Sequence, residues 1–119
     1  MRALLLVDHG SRASEANESL VAIAELVRAR VGPGVIVGYA HMELATPTVH
    51  DAIAILVAEG AAQITVVPYF LARGRHSRED IPKLVSDATA AHPGVLFVVA
   101  EPLGPHPLLA ELVLLRGGA

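Results

Sequence analysis

The sequence predicts an α/β fold: one flavodoxin-like half-domain whose four parallel strands, in the order 2-1-3-4, carry helices on both faces. Three observations predict it. Short apolar runs alternate with longer segments of helical period along all 119 residues. The runs are apolar at consecutive positions, as in strands covered on both sides. Breaks rich in glycine and proline separate most of the elements.

The first strand is residues 3–7, followed by the polar loop Asp8-His9-Gly10-Ser11-Arg12. Ser14 is read as the cap of the first helix, with Glu15 and Glu18 at the positive end of its dipole. Leu20, Ile23, Ala24, Val27 and Val31 form its apolar face, and Gly32-Pro33-Gly34 stops it. Residues 35–40 make the second strand, with 41–45 as its exit loop. Thr46-Pro47 is read as a cap followed by proline at the first helical position, in a helix that ends at Gly60. The third strand, 63–68, continues into Tyr69 and Phe70 and a loop from Leu71 to His76. Asp80-Ile81-Pro82 is read as the opening of a third helix that ends at His92-Pro93-Gly94. Residues 95–100 are the fourth strand, and 107–115 a short last helix. The whole chain, 1–119, is expected to be a single domain.

Composition narrows the function classes. The chain is 53% apolar with mean hydropathy +0.52, which excludes disorder. Tyr39, Tyr69, Phe70 and Phe97 are its only aromatic residues, and its formal charge is −3. Both facts argue against a nucleic-acid partner, and the charge also argues against an anionic membrane. With no cysteine, thiolate catalysis, iron–sulfur clusters and Cys-ligated zinc are excluded. No basic leader and no apolar run of membrane-spanning length are present, so a cytoplasmic location is expected.

Ligands of open parallel sheets bind outside the carboxyl ends of the strands, near the point where strand order reverses. His9 follows strand one, Glu43 follows strand two, and His76 follows strand three by one loop. With neighbouring strands about 4.8 Å apart, side chains from adjacent exit loops can share one ion. Two imidazoles and a carboxylate suit first-row divalent metals. Imidazoles also accept protons near neutral pH. Such a set can hold an ion weakly, exchange it and take up protons, which a closed four-ligand cage cannot. Arg12, Arg73, Arg75 and Arg78 fall on the same two loops and would grip carboxylates, with Ser11 beside them. Of the other histidines, His41 and His106 are read as structural, His92 as a helix-end residue and His50 as a surface one.

The motifs, taken together, resemble the short-form sirohydrochlorin chelatases, the CbiX-like members of the class II chelatase family. The resemblance rests on Asp8-His9-Gly10-Ser11-Arg12 with Asn17, and on Met42-Glu43-Leu44-Ala45-Thr46-Pro47-Thr48. It continues through Pro68-Tyr69-Phe70-Leu71, Gly74-Arg75-His76, Asp80-Ile81-Pro82 and Pro102-Leu103-Gly104-Pro105-His106-Pro107, from about Leu4 to Glu111. It implies insertion of a divalent ion, cobalt first with iron or nickel as alternatives, into sirohydrochlorin, a tetrapyrrole bearing eight carboxylates. That places the chain in cobalamin, siroheme or nickel-tetrapyrrole synthesis. By the resemblance His9 and His76 bind metal and accept protons, Glu43 is their acidic partner, and the arginines meet the carboxylates. No cofactor is expected beyond the inserted ion. Longer relatives look like two such units fused, so a C2 homodimer is expected.

Two rival functions are compatible with the residues. One is phosphoryl transfer by a His-Gly motif, although Asp8 stands where that chemistry wants an arginine. The other is a module that binds metal or tetrapyrrole without accelerating insertion.

Overall fold

The computed structural model describes residues 1–72 and 74–119, with the side chains of all of these except 75–78. Its elements run β1 (Arg2–Asp8), α1 (Ser14–Arg28), β2 (Val35–His41), α2 (Val49–Ala58), β3 (Gln63–Pro68), α3 (Arg75–Ala91), β4 (Leu96–Val99) and α4 (Pro107–Gly117). The four strands form one parallel sheet in the order β2-β1-β3-β4, as the sequence predicts. β1 is central and its carboxyl end lies between those of β2 and β3.

Alternate residues of each strand feed two separate cores, because side chains on a strand point to opposite faces. Ala3, Leu5 and Val7 of β1 join Ile64 and Val66 of β3 against Ile53 and Leu56 of α2. α3 covers the same face through Ala88, Leu84 and Val85. Leu6 of β1 and Val37 of β2 pack on Leu20 and Ala24 of α1 on the opposite face. Leu5, Leu20, Ile53 and Ile64 are fully buried, each contributing about 1.5–3 kcal/mol of transfer free energy. Gly38 lets α2 approach the sheet: an added Cβ would stand 3.3 Å from the Leu56 side chain.

Three helix starts differ from the sequence expectation, each for a local reason. The cap of α1 is Ala13, not Ser14, and its side chain caps nothing. α2 begins after Thr48, whose hydroxyl accepts from the Asp51 amide at 3.1 Å. Thr46-Pro47 lies before it with a cis peptide bond, and the Pro47 carbonyl accepts from the His41 amide. α3 begins at Arg75 after the cap Gly74 and runs through Pro82, which forgoes one main-chain hydrogen bond of the helix. Position 76 is therefore in the first turn of α3 and not on the preceding loop. His106, read as ordering the last turn, caps α4: its Nδ1 accepts from the Leu108 amide at 3.0 Å.

Candidate active site at the carboxyl edge of the sheet

The last residues of β1 and β2, Asp8 and His41, are partners in register. His41 is fully buried, and its Nδ1 lies 2.6 Å from Asp8 Oδ1. An imidazole and a carboxylate thus close the edge of the sheet side by side. The His41 and Tyr39 rings also meet edge to face, 6.2 Å between centroids with the planes 66° apart. From this pair the two segments continue together: the Met42 amide donates to the Asp8 carbonyl at 2.9 Å, and the Glu43 amide to the His9 carbonyl at 3.1 Å. The loops that carry His9 and Glu43 are consequently hydrogen-bonded to one another. Leu44, next to Glu43, takes a left-handed backbone conformation with φ 67°, a strained geometry of the kind that gathers at functional loops.

His41→Leu removes the hydrogen-bond partner of the half-buried Asp8 carboxylate while keeping the site apolar and filled. The expected result is a loss of about 2 kcal/mol in urea unfolding, the scale of an orphaned polar group. An unchanged midpoint would show that the pair does not hold this edge.

Gly10 fixes how closely these loops meet. Its φ is +88°, and an added Cβ would stand 1.8 Å from the Glu43 carbonyl oxygen. Beyond it, the Ser11 amide donates to Asn17 Oδ1 at 2.9 Å, and Asn17 Nδ2 donates to the Ser11 carbonyl at 2.7 Å. The Ser11 hydroxyl accepts from the Ala13 amide at 3.0 Å. Ser11, predicted to bind substrate, is therefore also a loop brace.

His9 is exposed but has one ring face stacked on Phe70, 4.6 Å between centroids with the planes 22° apart. It shares a cavity of about 400 Å³ with Met42, Glu43, Gly74, Asp80, Lys83 and Leu84. That volume lies within the range of ordinary ligand sites. The structure thus brings together His9 and Glu43, two of the three predicted ligands. The predicted His76, Arg75 and Arg78 side chains, and Arg73 altogether, lie outside the described residues. Arg12 is exposed and does not line the cavity. Among the described residues no three histidine or acidic side chains form a metal-holding group.

Asp80 and Lys83 were not anticipated as cavity residues; Asp80 reads in the sequence as a helix cap. Their spacing of three, with Leu84 next, marks one helical face once α3 is known to start at Arg75. A lysine beside two carboxylates gives the cavity groups for both an anionic ligand and a cation.

Three comparisons bear on this site. A family model described as CbiX matches residues 3–117. The chloroplastic sirohydrochlorin ferrochelatase of Arabidopsis thaliana is 42% identical over 110 residues, 92% of this chain and 48% of that protein. The sirohydrochlorin cobaltochelatase of Methanopyrus kandleri is 35% identical, covering 98% of this chain and 94% of its own. Among solved structures, the sirohydrochlorin chelatase SirB of Bacillus subtilis subspecies spizizenii, in complex with cobalt, superposes with TM-score 0.90 and 29% identity. The superposition covers 98% of this chain and 50% of that one. This chain therefore spans about half the length of the plant and Bacillus proteins and nearly all of the Methanopyrus one.

Proposed function

The chain belongs to the CbiX family, and on that premise we infer that it is a chelatase inserting a divalent metal ion into sirohydrochlorin. The observation that carries this reading is that His9 and Glu43, on the exit loops of different strands, line one cavity at the sheet's carboxyl edge. Insertion exchanges charge evenly: one doubly charged cation enters the macrocycle and two pyrrole protons leave. His9 and Glu43 are suited to both halves, since an imidazole and a carboxylate can each ligate the ion or accept a proton.

His76 completes the proposed ligand set. It stands four residues before Asp80 on α3, the spacing at which a helix repeats one face. Ser11, Arg12, Arg73, Arg75 and Arg78, joined by Lys83, are proposed to meet the substrate's carboxylates. The ion itself is substrate, and the reading requires no separate cofactor. We take 1–119 as one chelatase unit, and because some relatives are about twice this length, a second copy is proposed to supply the other wall of the cleft. Phosphoryl transfer is disfavoured, because the neighbour of His9 is a carboxylate held against His41 and not a guanidinium.

The test is metallation of sirohydrochlorin followed by absorbance, with cobalt and iron in parallel. A rate equal to the spontaneous one would leave a binding module. Glu43→Gln keeps the shape but removes the negative charge and much of the basicity. It is expected to slow insertion about 10-fold, less than loss of either histidine, with little change in sirohydrochlorin binding. A larger effect on KM than on kcat would place Glu43 at the substrate carboxylates instead.

A further inference from the structure

Four aromatic side chains are all this sequence has, and core packing accounts for three of them. Phe97 packs on the core beneath α2 and α3, and Tyr39 and Tyr69 on the core beneath α1. Phe70 belongs to neither core. Its ring lies instead against the exposed His9 imidazole, in the near-parallel stack with centroids 4.6 Å apart.

Both halves of that stack are anchored at the end of β1. Val7 precedes His9 by two residues, and its carbonyl accepts from the Tyr69 amide at 2.7 Å. The Phe70 carbonyl accepts from the Leu103 amide at 3.0 Å, which ties the other side of the ring's main chain. The His9 carbonyl is held in turn by the Glu43 amide. Two fixed stretches of backbone therefore bring the rings together. Phe70 stands behind His9, because His9 lines the cavity of about 400 Å³ and Phe70 does not.

A ligating imidazole is usually aimed by a hydrogen bond from its second ring nitrogen to a carboxylate or a carbonyl. Among the described residues neither ring nitrogen of His9 has such a partner. The carboxylate beside it in the sequence, Asp8, lies against His41 Nδ1 at 2.6 Å. A stack can aim the ring by another route. The lone pair of an imidazole nitrogen lies in the ring plane, so a surface that fixes the plane restricts where the nitrogens point. A hydrogen bond would occupy one nitrogen, whereas a stack occupies neither.

We propose that Phe70 is a positioning residue for metal insertion: its ring sets the plane of the His9 imidazole and leaves both nitrogens free for the ion and the leaving protons. This rests on the chelatase reading for what His9 does, and adds what holds His9 in place. Misplacing a reacting group by about 1 Å can cost up to about 100-fold in rate, so loss of the flat face should be felt in the chemical step.

The test uses the full chain with Phe70→Leu, which stays apolar but loses the flat face, and with Phe70→Tyr, which keeps it. Cobalt(II) alone is titrated into each and followed by its visible absorption, and sirohydrochlorin metallation is measured alongside. Phe70→Leu is expected to weaken cobalt binding and to lower kcat, each about 10-fold, with KM for sirohydrochlorin within about 2-fold of the wild type. Phe70→Tyr is expected to recover both. Wild-type cobalt affinity and kcat in Phe70→Leu would overturn the proposal. So would a raised KM at unchanged kcat, which would make Phe70 a contact of the macrocycle. A Phe70→Tyr variant as impaired as Phe70→Leu would overturn it too, by assigning the loss to packing. A wild type that accelerates no insertion would remove the chelatase reading, and the cobalt titration would still decide this one. Proton NMR adds a readout free of metal: the Phe70 ring current should shift the His9 ring protons upfield in the wild type and not in Phe70→Leu. Unshifted protons in the wild type would overturn the stack itself. Should Phe70→Leu not fold, Phe70→Met, which also lacks a flat face, is measured with the same expectations and the same overturning results.

Discussion

Replacing His9 by alanine is expected to reduce the metal-insertion rate about 100-fold or more while leaving a folded protein. The magnitude follows from the two tasks assigned to one ring. Loss of a ligand weakens the hold on the ion, and loss of the base removes an acceptor for a leaving pyrrole proton. Neither task passes in full to a neighbour: of the other cavity carboxylates, Glu43 already has its own part in the exchange, and Asp80 alone would have to replace the ring as both ligand and base. The Asp8 carboxylate is held against His41 at 2.6 Å, and Lys83 carries the wrong charge to receive the ion. The stability change should be small, because His9 is exposed and its main structural contact is the Phe70 stack, worth about 0.5–1.5 kcal/mol. Stopped-flow metallation and urea unfolding on the same sample separate these effects. A variant inserting at the wild-type rate would move the chemistry away from the β1 exit loop.

The legible and illegible parts of this molecule divide along a physical line. Strand positions were readable because buried parallel strands must be apolar at consecutive positions, and 3–7 shows that pattern without interruption. The order of the strands followed from packing rules, and with it the meeting of His9 and Glu43 at one edge. Helix starts were less readable. Pro47 looks like a first helical residue and Pro82 like part of an opening turn, but Thr48 and Gly74 are the caps. Pro82 is tolerated inside α3, where the sequence expectation had Asp80-Ile81-Pro82 open the helix. That shift of α3 by more than a turn is what hid Asp80 and Lys83 as cavity residues. The Asp8–His41 pair was hidden by a separation of 33 positions. Its signal existed: both residues end adjacent parallel strands, so aligning the strand termini makes them neighbours.

Gly10→Ala is expected to destabilise the protein by about 3 kcal/mol and to abolish insertion, a double loss that His9→Ala does not produce. Two penalties combine. An alanine at φ +88° costs about 1–2 kcal/mol for its left-handed backbone. The larger penalty is steric, since the new methyl would stand 1.8 Å from the Glu43 carbonyl oxygen, a main-chain atom. Only separation of the two loops relieves that contact, and separation breaks the hydrogen bond from the Glu43 amide to the His9 carbonyl. Gly34→Ala supplies the comparison. Its φ is +86°, nearly the same, but an added Cβ there meets nothing within 4 Å. It should therefore show the backbone penalty alone, with insertion intact. The difference between the two variants in urea unfolding isolates the close approach of the loops. Equal destabilisation with activity kept in both would mean that His9 and Glu43 need no fixed separation, and the ligand role of this pair would fall with it.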